Sequence, residues 1–399
     1  MLTEIQLERY AEVLLWGLRT ARTGKYRKND IVLIRCDQPA VKLVEAVFKK
    51  VIETGMHPVL RMGATPVVER MFFELANASQ LVFKVPGDEE LYKNLNGSIY
   101  LNAPASLTHL SSIDPKKIGK TAIARKYLRD ILDRREEEGA FGWTLCMYPT
   151  QALAKHANLS RADYMEQIVR ACFLNKRSPV DAWQEVYKNV ASIKKWLTSL
   201  KAKTLHIESE HIDLEITPGE KRRWIGVSGH NIPSFEIFLS PDWKGTKGKY
   251  YADQPSFRSG NLVKGMRLEF RNGSAVKIAA EAGEEFARKQ LAMDKGANKI
   301  GEFSLTDRRF SKIDRFMANT LFDENFGGKH GNCHIAIGAS YSDTYDGDPS
   351  TLTKEEKERL GFNDSALHWD LVNTEKKRVT AHLADGRQIT IYETGMFAY

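Results

Sequence analysis

The sequence predicts an α/β protein in which an N-terminal parallel α/β domain is followed by a larger mixed α+β domain. Two observations carry this. In the first hundred residues short apolar runs alternate with stretches of helical periodicity, and strands separated by helices imply a parallel sheet with right-handed crossovers. From Lys203 onward apolar and polar residues alternate one by one, as in half-exposed antiparallel strands.

Thr3-Glu4-Ile5-Gln6 reads as a capping box, opening a helix in which Leu7, Ala11, Leu14, Leu15 and Leu18 share a face. Residues 31–34 read as a buried strand, 41–54 as a helix ended by Gly55, 57–62 as a second strand and 67–76 as a further helix. Residues 81–85 and 98–101 continue the alternation as strands. Gly63-Ala64-Thr65-Pro66 could bind an anion at a helix start, a strand-to-helix turn being the plainer reading, and the absence of GxGxxG and GxxxxGK[ST] leaves this region without a nucleotide fingerprint. From Pro104 to Lys117 the sequence is loop-like, which places a domain boundary near 108 and gives domains 1–108 and 109–399.

Beyond it, 121–138 reads as a charged helix, 143–147 as a strand, and 160–174 and 179–200 as helices. Strands follow at 204–207, 212–216 and 266–270, the last leading into the hairpin signal Arg271-Asn272-Gly273-Ser274. Residues 279–293 read as a helix, and strands at 379–383 and 388–392 flank the turn Ala384-Asp385-Gly386.

A chain of 399 residues can bury a sizeable core, and 42% hydrophobic with 28% charged residues is ordinary for a globular protein. The net charge of +8, from 59 basic and 51 acidic residues, is a mild excess that does not call for a nucleic-acid partner. No apolar run approaches the length of a membrane span, and MLTEIQLERY lacks the basic and apolar regions of a secretory signal. Cys36, Cys146, Cys172 and Cys333 are widely separated, which argues against a thiolate zinc site or a disulfide framework and fits a cytoplasmic protein.

The residues suited to chemistry lie in the second half. The stretch TLFDENFGGKHGNCHIAIGASY, from Thr320 to Tyr341, gathers Asp323, Glu324, His330, His334, Cys333 and Tyr341 around a run of glycines. In a strand opened by His334, Ala336 and Gly338 share its face, leaving open space before the imidazole. A buried, hydrogen-bonded histidine is the plainer reading. His368-Trp369-Asp370 likewise puts imidazole and carboxylate on one strand face, as a platform for a divalent metal or as a simple Asp–His hydrogen bond. Glu302 and Glu236 each sit in an apolar run, where a carboxylate needs a cation or a hydrogen-bond donor, a lysine sufficing. Taken together, Glu236, Glu302, Glu324, His334, His368 and Asp370 suit two divalent ions bridged by a carboxylate, while separate structural roles stay equally open.

Along nearly its whole length the chain resembles the aminopeptidase T and aminopeptidase S family of dinuclear metallo-aminopeptidases. The resemblance is carried by Asn231-Ile232-Pro233 with Glu236, Asp294-Lys295-Gly296-Ala297 with Gly301-Glu302, Leu321-Phe322-Asp323-Glu324-Asn325, His334-Ile335-Ala336-Ile337-Gly338 with Tyr341, and His368-Trp369-Asp370. It implies a homodimeric enzyme that hydrolyses the N-terminal bond of peptides with a free N-terminus by a two-metal-activated water, the ions being zinc, cobalt, manganese or magnesium. Glu236, Glu302, His334, His368 and Asp370 would be metal ligands, with Glu302 the bridge. Glu324 would be a further ligand or the general base, and Tyr341 a catalytic hydroxyl. Two features depart from the family: Phe235 stands where glycine is usual, and residues 326–333 lengthen the interval before His334. A metallohydrolase acting on other amides or phosphoesters, and a non-enzymatic small-ligand-binding protein, are the alternatives.

Overall fold

In the computed structural model, which describes residues 2–399, the capping box forms as expected. Thr3 Oγ1 accepts from Gln6 N at 3.3 Å and Gln6 Oε1 accepts from Thr3 N at 2.9 Å, opening the helix Glu4–Ala21. Its apolar stripe, Leu7, Leu14 and Leu18 included, is buried. The chain divides into two compact units. The first holds the residues up to Tyr187 with Val227–Ser234 and Met317–Leu321; the second holds Lys188–Gly226, Phe235–Phe316 and Phe322–Tyr399.

The first unit is built on a parallel sheet whose strands lie in the order His57–Met62, Ile31–Cys36, Gly97–Asn102, Gly142–Met147, Asn231–Ile232. Trp183 closes the core, stacking on Trp16 with ring centroids 6.0 Å apart and meeting Phe173 edge-on.

Two expectations are corrected here. Residues 81–85 form no strand: Gln80–Val82 is a 3-10 turn, and Phe83 and Val85 are exposed. Asn77 Oδ1 accepts from the backbone N–H groups of Ser79 and Gln80, a local bond that competes with extended pairing. The place beside Ile31–Cys36 goes to Gly97–Asn102, and a helix the sequence reading missed, Asp88–Asn94, precedes that strand with three acids in its first turn. The boundary at 108 also moves. The loop there leads into the helix Pro115–Glu137, a crossover to Gly142–Met147, which pairs in parallel register with Gly97–Asn102. Residues 109–187 therefore belong to the first unit.

The second unit contains two antiparallel sheets. The larger runs Ser274–Ala279, Met266–Arg271, Asp242–Ala252, Asp213–Thr217, Thr204–Glu208, Arg378–His382, Gln388–Glu393, Met396–Phe397. Its hairpin at 271–274 turns through two residues of positive φ, Asn272 at 48° and Gly273 at 79°, as the Asn-Gly signal requires. The helix expected from 279 starts later, at Glu284–Leu291. Residues 274–279 are committed to that hairpin, and Lys264 bridges Ala282.

The smaller sheet has the order His368–Asn373, Asn332–Gly338, Ile300–Thr306, Glu236–Leu239. Its two central strands are buried throughout, which is why they read as near-continuous apolar runs. Tyr250 ties the two sheets together, donating to Leu371 O at 2.6 Å. No helix among the described residues is long and apolar enough to cross a membrane.

Candidate metal centre

The register of the smaller sheet decides which side chains meet. Glu302 lies opposite Ala336, which lies opposite Asp370; Ser304 is opposite His334, Gly338 opposite His368, and Thr306 opposite Glu236. Residues directly paired, and those two apart on a strand, share a face. One face of four strands therefore carries Glu236, Glu302, His334, His368 and Asp370, with the small Ala336 and Gly338 opening room between them. Cys333, on the alternate face, points away.

His334 stands at the centre. Its Nε2 lies 3.1 Å from Glu302 Oε1, 3.4 Å from Glu236 Oε2 and 3.9 Å from Asp370 Oδ1. His368 Nε2 lies 3.3 Å from Asp370 Oδ1, and its Nδ1 donates to Ala339 O at 2.9 Å. A carbonyl only accepts, so Nδ1 carries a proton in either charge state, and when the ring is neutral Nε2 presents a lone pair towards the cluster. Glu324 brings a carboxylate oxygen within 4.8 Å of ligand atoms of both His334 and Asp370. Glu236, Glu302 and Glu324 are only 4%, 4% and 5% exposed.

Burial is the largest influence raising the glutamates. Together with its acidic neighbours it pushes Glu236 and Glu302 up to about 8, although His334 works against it at Glu236 and His368 at Glu302. Burial, with Glu236, Asp370 and Glu302 nearby, holds Glu324 well above the carboxylate range. Asp370 goes the other way: burial is outweighed by the His368 charge and hydrogen bond, with His334 and Arg258 adding to it, and its value falls to about 2. Burial also lowers His368, but Asp370 prevails and raises it. Without cations the cluster must take up protons; cations of sufficient charge would replace them.

Side chains not foreseen from the sequence hold this arrangement. Ser304 donates to Glu236 Oε2 at 3.1 Å; its position two residues after Glu302 was the signal for it. Asn325 accepts from Phe235 N at 2.5 Å, tying the entry to the Glu236 strand to the Glu324 loop. Arg258 donates to His368 O at 2.6 Å, and nothing in its sequence context marks it. Phe235 is fully buried, so its side chain packs into the core. The 326–333 segment is tied down by Gly327 N to Ile313 O at 2.8 Å and Asn332 Nδ2 to Phe326 O at 2.6 Å.

Tyr341 packs against His368 with ring centroids 4.7 Å apart and against Phe238 at 6.4 Å, and Ser240 Oγ accepts from its backbone N at 2.9 Å. His330 is not part of the cluster; burial, then Lys329, Lys377 and other cations, lower it.

The model of the thermophilic metalloprotease (M29) family matches residues 3–397. Aminopeptidase AmpS of Bacillus subtilis (strain 168) is 27% identical over 400 residues, covering 94% of this chain and 95% of its own. Aminopeptidase T of Thermus aquaticus is 28% identical over 304 residues, 72% of each chain. The solved structure of wild-type AmpT from Thermus thermophilus superimposes with a TM-score of 0.77 at 22% identity, covering 98% of this chain and 99% of that one, which establishes the likeness of fold. With a match running from residue 3 to residue 397, the chain belongs to the thermophilic metalloprotease (M29) family.

Proposed function

We propose that the chain is an aminopeptidase whose centre takes two divalent ions of the zinc, cobalt, manganese or magnesium type, held by Glu236, Glu302, His334, His368 and Asp370. The observation that carries this is the convergence of Glu236, Glu302, Asp370 and Glu324 around His334, with the half-buried His368 joining through Asp370 at 3.3 Å. The donors fit such ions: carboxylates and imidazoles are hard-to-borderline ligands, and the three carboxylates of this set, with Glu324 beside them, supply the charge that two dications neutralise. His334 Nδ1 is buried without a hydrogen-bond partner, so the ring is fixed by what its Nε2 side meets. Glu302, between Glu236 and Asp370 on the shared face, is the proposed common ligand.

When bound, the ions would supply Lewis acidity towards the scissile carbonyl and the attacking water. Glu324, whose carboxylate lies within 4.8 Å of ligand atoms of His334 and Asp370, would, once cations hold it ionised, accept the proton that water loses and return it to the leaving amine. Tyr341, beside His368, would donate to the developing oxyanion. The acidic surroundings also favour a substrate's free ammonium group, which restricts cleavage to peptide N-termini.

Tyr341→Phe is expected to lower kcat roughly 10²-fold with KM little changed, since the hydroxyl would act on charge that develops only in the transition state. Steady-state kinetics on an aminoacyl-anilide check this, and an equal fall in kcat/KM through KM alone would mark Tyr341 as a binding residue instead. A panel of aminoacyl-anilides and phosphoesters, assayed with chelator and after metal is restored, tests the activity itself. Release of N-terminal amino acids only in the metal-loaded state supports the proposal; phosphoester cleavage without peptide cleavage would give the site to the alternative hydrolase.

A cytoplasmic homodimer completes the proposal. The four cysteines are free and buried, as suits a reducing compartment. The first unit exposes Leu60, Met62, Val67, Val68, Met71 and Leu75, an apolar set of the kind that marks an interface.

A further inference from the structure

Where the helix Glu4–Ala21 ends, Arg19, Arg22, Lys25, Arg27 and Lys28 follow within ten residues that hold no carboxylate, and Asp30 is the first to follow them. These five cations and Tyr26 line a cavity of about 540 Å³ in the first unit. Asp30 is already taken: Arg22 Nη1 meets its Oδ2 at 2.8 Å, with both side chains nearly buried. Arg22 also donates to Gly139 O at 3.1 Å and lies over the Tyr26 ring at 4.5 Å, so it forms a fixed floor. The other four cations are exposed and make no ion pair or side-chain hydrogen bond within the described chain. Elsewhere comparable surface cations are paired, as in Lys49–Glu8, Lys126–Asp130 and Arg288–Glu284.

Arg19 alone suffices to complement the carbonyl end of the helix Glu4–Ala21, so helix capping leaves three further charges unexplained. Like charges gathered in a concavity focus a positive potential there and raise the local concentration of anions. We propose that this cavity is a binding site for a small ligand carrying a pyrophosphate group. A single phosphate carries at most about two charges, whereas two linked phosphates approach the four cations available. Arg19 and Arg27 offer planar forks for bidentate contact with phosphate oxygens, and Lys25 and Lys28 act as point charges. The volume lies within the range of roughly 300–1,000 Å³ typical of small-molecule sites. A nucleic acid would ask for an extended basic stripe instead.

Equilibrium dialysis of the metal-loaded, full-length protein against labelled inorganic pyrophosphate, and separately against a nucleoside triphosphate, tests this. Wild type is expected to show saturable binding. The variant Lys25→Glu/Arg27→Glu/Lys28→Glu, altered at exposed positions only, is expected to weaken it roughly 30-fold or more while peptide hydrolysis without added ligand is unchanged. The charge-conserving Lys25→Arg/Arg27→Lys/Lys28→Arg is expected to retain binding, and so is Glu302→Gln, which alters the metal centre and not this cavity. Tighter binding of the triphosphate than of pyrophosphate would assign the ligand to nucleotides, and the reverse to free pyrophosphate. Absence of saturable binding, equal binding by the charge-reversed variant, loss in Glu302→Gln alone, or binding of a single-stranded oligonucleotide in place of both probes would each overturn the proposal.

Discussion

Glu302→Gln is expected to reduce peptide hydrolysis roughly 10³-fold, at the upper end of what removal of one charge-stabilising group costs. Gln keeps the shape of the side chain and one acceptor oxygen, so the strand Ile300–Thr306 and its pairing on both sides are expected to persist. What is lost is a negative charge within 3.1 Å of His334 Nε2, in a centre where burial already makes each carboxylate costly without a cation. The metal-free variant should be more stable above pH 8 than metal-free wild type, because one member of a mutually repelling set has become neutral. Circular dichroism, anilide kinetics and thermal melts of both forms check these outcomes. Activity within a few-fold of wild type would remove Glu302 from the centre.

Removal of the ions by a chelator is expected to abolish activity and make stability depend on pH in an unusual sense. Glu236 and Glu302 have folded values near 8, above their ordinary 4.5. A group whose value is raised on folding contributes stability that is fully present below its unfolded value and lost as pH climbs through its folded one. His368, also raised, acts in the same direction. The lowered value of Asp370 withdraws stability only near pH 2, outside this window. The metal-free protein should therefore lose stability between about pH 5 and pH 9. One glutamate moved from 4.5 to about 8 corresponds to about 4–5 kcal/mol, and since the carboxylates share protons the whole cluster is of that order. Restored metal takes over the protons' role and is expected to flatten the dependence. Melting temperatures of chelated and reloaded protein across that range test this; a metal-free protein that gains stability towards pH 9 would contradict it.

Much of the centre was legible because strand periodicity is a local property. His368 and Asp370, or Glu302 and Ser304, share a face whatever the sheet does, and the small Ala336 and Gly338 on the face of His334 mark where space opens. That these strands would be neighbours was not local, since Glu236 and Glu302 meet through a register set by pairing across more than sixty residues. The same distinction explains the misread elements. Residues 81–85 have strand-like composition, but the place beside Ile31–Cys36 is filled by Gly97–Asn102, a competition decided by packing. Residues 279–283 look helical until the hairpin with Met266–Arg271 claims the preceding segment. The loop at 104–114 resembles a linker because both a linker and a loop into a crossover helix are polar and proline-bearing. Arg258 reaches the site only because the fold carries the strand Ser256–Arg258 to the backbone of His368.

Anomalous X-ray scattering from crystals of the zinc-loaded protein measures the centre most directly. Two peaks enclosed by Glu236, Glu302, His334, His368 and Asp370, both absent in Glu302→Gln, are the predicted result. Full zinc occupancy elsewhere, with these five side chains engaged only with one another, would contradict it.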